Sequence, residues 1–138
     1  MTRGTDRTAG YSGTPLPKKL GIRADDVVGL VDAPDGFERI LAPLPDNVVV
    51  RRGLRGRRTM TLCFLRSRRD LDRRMGRMAQ EAQTGGLWLA WPKKSSGLQT
   101  DLSESDIRNA GLGAGLVDFK ICAIDETWSG LRFAPRRS

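Results

Sequence analysis

The sequence predicts an α/β protein with a three-layer, Rossmann-like, mostly parallel sheet and a C-terminal antiparallel strand pair. Short apolar runs without polar alternation are typical of strands covered on both faces. These runs alternate with segments whose apolar residues recur at helical spacing, which indicates helices on both sides of the sheet. With 138 residues, the chain is long enough to bury one hydrophobic core.

The N-terminal part predicts an arm, a lead-in and one strand. Residues 1–10 are polar and lack periodicity, so we expect a flexible arm, and residues 11–138 form the single α/β domain. Tyr11–Ile22 (YSGTPLPKKLGI) contains two prolines, and we expect an ordered, extended lead-in. Val27–Val31 is aliphatic and predicts the first strand, because Pro34 shortly after it interrupts strand pairing.

The next segment predicts a short helix and two strands. Asp35 can cap a helix that carries Phe37 and is stopped by Pro43 and Pro45. Asn47–Val50 predicts a second strand, and the apolar run Met60–Leu65 predicts a strand buried on both faces.

The remaining elements follow the same alternation. A helix begins at Ser67 and ends at Gly85-Gly86, with an apolar stripe of Leu71, Met75, Met78 and Ala82. The other expected elements are a strand at Leu87–Trp91, a helix begun by Ser103 with Asp106, and a closing pair of strands at Val117–Ile124 and Leu131–Phe133. Trp88 and Trp91 are three residues apart in one strand, so we expect them on opposite faces.

The composition excludes several classes of site. With no His, the chain has no Ser-His-Asp triad and no His metal ligand. Cys63 and Cys122 are too few for a zinc site and lie in apolar runs, so we expect buried, reduced thiols and no metal. The longest uncharged run is far shorter than the about 20 residues that cross a membrane. We therefore expect a cytoplasmic protein without membrane association.

The positive charge is concentrated in one segment. The chain has a net charge of +8, but Arg51–Arg77 holds 11 Arg against Asp70 and Asp72, a net of +9. This pattern predicts an anion or nucleic-acid patch. Its candidate residues are Arg51, Arg52, Arg55, Arg57, Arg58, Arg68 and Arg69. The alternative is a solvated loop and helix flank, because Phe64 is the one aromatic residue in the segment and stacking needs more.

Three loops follow the strands at the edge where α/β sheets collect ligands: Asp32–Gly36, Arg66–Arg69 and Pro92–Gly97. None of them carries a nucleotide-binding fingerprint, so no cofactor is expected. The third loop is the most ligand-like, since two ammonium groups, two hydroxyls and a glycine suit an anion. The alternative is a polar surface turn.

A shared site is expected between two of the polar loops. Its anion-facing edge is Lys93, Lys94, Ser95, Ser96 and Gly97, its opposite wall is Asp125, Glu126 and Trp128, and Tyr11 and Ser12 close over it. Two alternatives stay open for Asp125. Its carboxylate caps its own turn, or it pairs with Lys93 or Lys94.

Three motifs together resemble an uncharacterised family of small bacterial proteins, a domain of unknown function. They are YSGTPLPKKLGI, WPKKSSG and CAIDETWSGLRF, and the resemblance covers about residues 10–134. It implies a cytoplasmic bacterial protein and supplies no catalytic residue.

The element order is also similar to that of S-adenosylmethionine-dependent methyltransferases, whose sheet ends in an antiparallel hairpin. Those enzymes bind their cofactor on a Gly-rich turn after strand one. This chain has Asp32-Ala33-Pro34-Asp35-Gly36 at that place, and it is short by at least one strand–helix unit. The resemblance therefore implies a degenerate methyltransferase-like domain.

Three functions are compatible with these patterns. The first is a non-enzymatic binding or regulatory domain for an anionic small molecule, a nucleic acid or an acidic protein partner. The second is a small enzyme that uses Lys93, Lys94, Asp125 and Glu126 on a phosphorylated or acyl substrate. The third is a structural interaction protein. The sequence leaves the ligand and the oligomeric state open.

Overall fold

A six-stranded sheet between two layers of helices forms the centre of the structure, a computed structural model that describes residues 13–137. The expected arm, Tyr11 and Ser12 lie outside the described residues. The elements in chain order are α1 (Leu16–Leu20), β1 (Val27–Val31), α2 (Phe37–Ile40), β2 (Val49–Arg52), β3 (Met60–Phe64), α3 (Arg68–Thr84), β4 (Gly86–Pro92), a 3₁₀ turn (Lys94–Ser96), α4 (Glu104–Gly113), β5 (Leu116–Ala123) and β6 (Trp128–Pro135).

The sheet is mostly parallel, and the predicted fold class is confirmed. Its strand order is β2-β1-β3-β4-β6-β5. The first four strands in this order are parallel, β6 is antiparallel to β4, and β5 is antiparallel to β6. The three strands with uninterrupted apolar runs, β1, β3 and β4, lie inside the sheet, as expected for strands covered on both faces.

Each face of the sheet carries its own apolar layer. On one face α3 and α4 contribute Leu71, Met78 and Ile107, and on the other α1 and α2 contribute Leu20 and Phe37. All five side chains are buried. Two buried layers of this kind require helices on both sides, because each face of the sheet removes its apolar surface from water separately.

Side chains that alternate along the central strands divide between the two layers. Trp88 and Trp91 lie in opposite layers, as predicted from their spacing. Cys63 and Cys122 are buried, unpaired thiols. Burial raises the pKa of the Cys63 thiol to about 12 and raises the pKa of Cys122 as well, so both are inert core residues.

Two local predictions in the N-terminal part were wrong. The lead-in is not extended throughout, because Leu16–Leu20 forms one helical turn that ends at Gly21 with φ 81°. This turn is fixed from inside, where Trp88 Nε1 donates to the carbonyl of Leu20 at 3.0 Å. The short second helix is preceded by Gly36, at φ 78°, and Asp35 makes no capping bond.

The two long helices begin as predicted. Ser67 Oγ accepts from the Asp70 N–H at the start of α3. Ser103 and Asp106 form a complete capping box at the start of α4. The second strand begins at Val49, two residues later than expected, because its parallel pairing with β1 starts there and includes Arg51 and Arg52. None of the helices within residues 13–137 is long and apolar enough to cross a membrane.

The contact between α4 and β6 depends on a glycine. A Cβ atom at Gly111 would lie 2.3 Å from Cε2 of the buried Phe133 ring, whereas a Cβ at Gly113, two residues later, would meet nothing within 4 Å. We expect Gly111→Ala to be about 2 kcal/mol less stable than Gly113→Ala, because a clash in a packed interior costs more than helix propensity returns. Urea unfolding of both variants measures the difference. Equal stabilities would contradict this close packing.

Candidate functional site

The two polar loops that were expected to share a site lie side by side. Pro92 at the end of β4 pairs with Trp128 at the start of β6. Beyond this pair, the Lys93 N–H donates to the carbonyl of Thr127 at 2.8 Å, and Lys93 Nζ donates to the carbonyl of Asp125 at 2.6 Å. The lysine therefore fastens one loop to the other through a backbone carbonyl, and not through a carboxylate as one alternative expected.

The carboxylate of Asp125 belongs to its own turn. Its Oδ1 accepts from the N–H groups of Thr127 and Trp128, both at 2.8 Å. Glu126 is exposed and has no hydrogen-bond or ion-pair partner among the described residues. The local-cap interpretation of Asp125 is therefore correct. Because this carboxylate is committed to backbone N–H groups, Asp125 and Glu126 form no acid–base pair of the kind that catalysis needs.

Trp128 is a core residue and does not form the wall of an open cleft. Its side chain is 3% exposed and packs edge-to-face on Phe64, with ring centroids 5.1 Å apart. The guanidinium carbon of Arg66 lies 5.1 Å from the Trp128 ring centroid. The aromatic ring thus supports a cation at the surface, which is a favourable cation–π arrangement.

In the third loop, Ser96 makes hydrogen bonds within its own turn, and Ser95 makes none among the described residues. Ser96 Oγ donates to the carbonyl of Lys93 at 2.7 Å and accepts from the Leu98 N–H at 3.2 Å. Gly97 closes the 3₁₀ turn with φ 83°. Ser95 and Lys94 are exposed and have no partner within the described part of the chain. Of the expected anion-facing edge, Lys94 is therefore the cation that remains available.

Lys94 lines a cleft where the parallel strands β3 and β4 end, here called the carboxyl-edge cleft. Its volume is about 660 Å³. Its lining residues are Arg66, Ser67, Lys94, Leu98, Gln99, Thr100 and Asp101. Arg66 and Lys94 supply two positive charges and Asp101 one negative charge, so the cleft has a positive balance.

The floor of the carboxyl-edge cleft is the beginning of α3. Asp101 Oδ1 accepts from the Arg68 N–H at 2.8 Å, and Thr100 Oγ1 donates to the carbonyl of Arg66 at 2.9 Å. These bonds hold the segment after the 3₁₀ turn against the start of the helix. The Asp101 carboxylate also complements the positive end of the α3 dipole.

Sequence reasoning missed most of this cleft. It noted Arg66 only as part of a loop, although a cation directly after a buried strand is a signal for the ligand edge of an α/β sheet. It ended the neighbouring loop at Gly97, whereas the lining continues to Asp101. Leu98–Asp101 carries no motif, so only its contacts with α3 identify it.

Most arginines of the Arg51–Arg77 segment are bonded to partners inside the protein, including three of the seven residues of the predicted patch. Arg52 forms a bidentate pair with Glu38, at 2.8 and 2.9 Å, and also donates to the carbonyls of Ala33 and Pro34, both at 2.8 Å. Arg68 pairs with Asp106 at 2.7 Å. The other ion-paired arginines of the segment are Arg58, Arg73, Arg74 and Arg77.

Three arginines converge on the turn that follows β1. Asp32 stands at φ 57°, its carboxylate accepts from Arg74 at 2.8 Å, and its carbonyl accepts from Arg66 Nη1 at 2.8 Å. Arg52 holds the carbonyls of the next two residues. The methyltransferase resemblance associates this turn with a cofactor. In this protein, hydrogen bonds from arginine side chains hold the turn in place. The absence of a cofactor stays a prediction.

Arg58 forms a nearly buried ion pair. Its Nε and Nη2 donate to the Glu81 carboxylate at 3.0 and 2.8 Å, and Thr61 Oγ1 donates to the same carboxylate at 3.2 Å. Burial opposes ionisation of Glu81, but the bonds from Arg58 and Arg77 outweigh it, and the Glu81 pKa lies below its usual 4.5. Arg58 is therefore a structural residue.

The rest of the predicted patch is exposed. Arg51, Arg55, Arg57 and Arg69 have no hydrogen-bond or ion-pair partner among residues 13–137. These four side chains are the part of the patch that can meet a nucleic acid, and that role stays a prediction.

Comparisons with known proteins find likeness in solved structures only. No protein-family model matches the chain, and no curated protein matches it. The CcbJ methyltransferase from Streptomyces caelestis is 10% identical with a TM-score of 0.46, over 83% of this chain and 84% of that one. Magnesium protoporphyrin IX methyltransferase from Synechocystis PCC 6803, with bound SAH, is 12% identical with a TM-score of 0.47, over 83% and 75%.

A third solved structure, LepI in complex with SAM, is 11% identical with a TM-score of 0.49. The match covers 96% of this chain and 50% of that one. Identities this low say nothing about a shared activity. The fold assignment depends on the sheet itself, and the resemblance to a bacterial family stays a prediction.

The buried ion pair gives a stability prediction. We expect Arg58→Ala to lower the free energy of unfolding by about 3 kcal/mol, because it leaves the Glu81 carboxylate buried beside fewer donors. Arg57→Ala, which removes an exposed neighbour, should change it by less than about 0.5 kcal/mol. Urea unfolding at pH 7 measures both, and equal losses would contradict the structural role of Arg58.

The same pair sets a pH dependence. Because the Glu81 pKa is lower in the folded than in the unfolded chain, its contribution to stability is complete above pH 4.5 and is lost as the pH falls below that value. In Arg58→Ala the burial of Glu81 is less compensated, so its pKa in the folded chain moves up toward the unfolded value and the loss of stability on acidification should be smaller. Unfolding midpoints measured between neutral and acid pH test this, and identical profiles would contradict it.

Proposed function

We propose that the protein is a non-catalytic binding domain for a phosphorylated small molecule, which it holds in the carboxyl-edge cleft. The observation that carries this proposal is Lys94, an exposed ammonium without a partner among the described residues, which lines the same cleft as Arg66. A guanidinium and an ammonium at one cleft suit a phosphate, because charge-assisted hydrogen bonds are the strong ones.

The position of Arg66 supports this ligand class. Its Nη1 is committed to the carbonyl of Asp32 and its guanidinium lies over the Trp128 ring, so the side chain has a defined place. A guanidinium has five N–H donors, and the Asp32 carbonyl takes one of them. An anion bound beside Arg66 therefore meets a donor that is already oriented, and ordering this side chain costs little.

Asp101 restricts how an anion can lie. Its carboxylate is bonded to the Arg68 N–H on the floor of the cleft and repels a second negative group there. A phosphate is therefore favoured at the Lys94 side, away from Asp101.

The contacts of the second loop support binding over catalysis. The small-enzyme alternative uses Lys93, Lys94, Asp125 and Glu126, and it needs one of them positioned as a base. Lys94 is exposed and has no partner among the described residues that would position it. Lys93 Nζ is bonded to a carbonyl, and the Asp125 carboxylate is bonded to two N–H groups. Glu126 remains exposed, with no hydrogen-bond or ion-pair partner among the described residues to position it.

A second candidate function rests on the four exposed arginines without partners. Arg51, Arg55, Arg57 and Arg69 can contact nucleic-acid phosphates, but Phe64, the aromatic residue of that segment, is buried and offers no stacking surface. Binding of this kind is insensitive to sequence and falls steeply with salt. A short single-stranded DNA that binds at low salt only would favour it.

Pyrophosphate is a suitable probe for the proposed site. We expect Lys94→Ala to raise the dissociation constant for pyrophosphate about tenfold, since a lost charge-assisted bond is worth about 1.5 kcal/mol or more. Lys120→Ala, which removes an exposed lysine on β5, should leave it unchanged. Isothermal titration calorimetry at low ionic strength measures both constants.

Neither variant should alter the unfolding midpoint, because exposed charges contribute little to stability. Equal weakening by both substitutions would show that pyrophosphate responds only to net charge. No binding by the unaltered protein at about 1 mM pyrophosphate, an affinity near −4 kcal/mol, would also overturn the proposal.

A further inference from the structure

A second cleft, of about 540 Å³, lies at the opposite end of the sheet, here called the amino-edge cleft. It is bounded by α1 and the residues that lead into β1, by the segment Pro43–Pro45, and by Arg132 of β6. Gly86, at the start of β4, is next to the Arg132 guanidinium. The cleft therefore lies near the amino ends of the parallel strands and shares no residue with the carboxyl-edge cleft.

Arg132 is a half-buried cation without a counterion. Its Nη1 donates to the carbonyl of Leu20 at 3.2 Å, and its Nε is buried with no hydrogen-bond partner. No carboxylate within the described residues pairs with it. Its other neighbour is the Phe119 ring, whose centroid lies 5.5 Å from the guanidinium carbon. A charge placed this way bears a desolvation cost that an anion would offset.

The charges around Arg132 also favour a bound anion. Burial and the nearby Arg23 lower the pKa of Arg132, and Asp26 only partly opposes them. The Asp26 carboxylate is committed elsewhere, since it accepts from Thr59 Oγ1 at 2.8 Å and from the Arg23 N–H at 2.7 Å. Lys18 also lines the cleft. Three cations therefore line this cavity, and among residues 13–137 no acidic side chain lines it.

The remaining walls are apolar. Ile22 is 4% exposed, and Leu44 packs on the same core layer. Prolines complete the lining on both sides, among them Pro17 and Pro43. Gly21 makes room for the guanidinium, because a Cβ there would lie 2.4 Å from Arg132 Nη1. A cavity with hydrocarbon walls and one oriented cation is typical of a site for a small organic anion.

We propose that the amino-edge cleft binds a small organic carboxylate with an apolar body, its carboxylate on Arg132 and its hydrocarbon part against Leu44 and the prolines. Arg132 keeps N–H groups at Nη1 and Nη2 beyond the one that the Leu20 carbonyl takes, and a charge-assisted bond from them to a carboxylate is stronger than a neutral hydrogen bond. A monoanion fits better than a phosphate, because a dianion costs more to desolvate between apolar walls. This site does not depend on the function proposed for the carboxyl-edge cleft.

Octanoate and octanol are matched probes for the proposed site, because they differ in the carboxylate and share the hydrocarbon chain. We expect octanoate to bind the full-length protein with a dissociation constant below about 1 mM, and octanol at least tenfold more weakly. Arg132→Met should weaken octanoate at least tenfold, and Arg137→Met, an exposed control, should not. Isothermal titration calorimetry measures these constants, and circular dichroism checks that the variants fold.

If Arg132→Met does not fold, a charge reversal at Lys18, which also lines the cleft, tests the proposal. Lys18→Glu alters an exposed side chain and should weaken octanoate several-fold, whereas Lys94→Ala should leave it unchanged. Equal affinity for octanoate and octanol would overturn the proposal. So would unchanged octanoate binding in folded Arg132→Met or in Lys18→Glu, whatever the pyrophosphate result is.

Discussion

The ion pair of Glu81 with Arg58 connects three parts of the molecule: α3, β3 and residues 53–59 between β2 and β3, here called the basic loop. Glu81 lies on the inner side of α3, Arg58 comes from the basic loop, and Thr61 of β3 donates to the same carboxylate. Nη1 of the same guanidinium group donates to the carbonyls of Leu54 and Gly56. One buried carboxylate thus fixes the helix against the sheet and gives the basic loop its shape, and its burial is tolerated only with these partners.

The requirement that a charge inside the protein has bonded partners also applies to the arginines of the Arg51–Arg77 segment. An arginine-rich segment in a small protein looks like a surface for phosphate, yet most of its guanidinium groups are bonded to carboxylates and carbonyls of the chain itself. Arg52 and Arg74 hold the turn after β1, and Arg66 joins them from the end of β3. What remains for a ligand is decided by which cations of residues 13–137 have no carboxylate partner. These include Lys94 and Arg132 as well as the exposed arginines of the Arg51–Arg77 segment.

The sheet was predictable because its signal is local. Uninterrupted apolar runs such as Met60–Phe64 can satisfy their side chains only between two layers, so their central position follows from the sequence. The helix Leu16–Leu20 was missed because a single turn that contains Pro17 carries no periodicity, and a hydrogen bond from the distant Trp88 stabilises it. Tertiary contacts decide such short elements.

The candidate sites were predictable only in part, for a related reason. That the loops after β4 and before β6 meet follows from the strand order, but the partner of Lys93 does not. Ion pairs such as Arg74 with Asp32 join residues 42 positions apart, and no sequence pattern links them. Arg132 stands between two buried apolar residues of β6, where its spacing indicates only an ordinary alternating strand. Its missing counterion becomes visible only when all its neighbours are known.

We propose that most arginines of the Arg51–Arg77 segment serve the fold, whereas Arg66 and Lys94 hold an anionic ligand. Amide chemical shifts of the ¹⁵N-labelled protein, recorded during a pyrophosphate titration, test this most directly. We expect saturable shifts that are largest at Arg66, at Ser67 and across residues 94–101, with small changes across residues 51–57. Shifts concentrated in 51–57, or spread evenly over all exposed arginines, would contradict it.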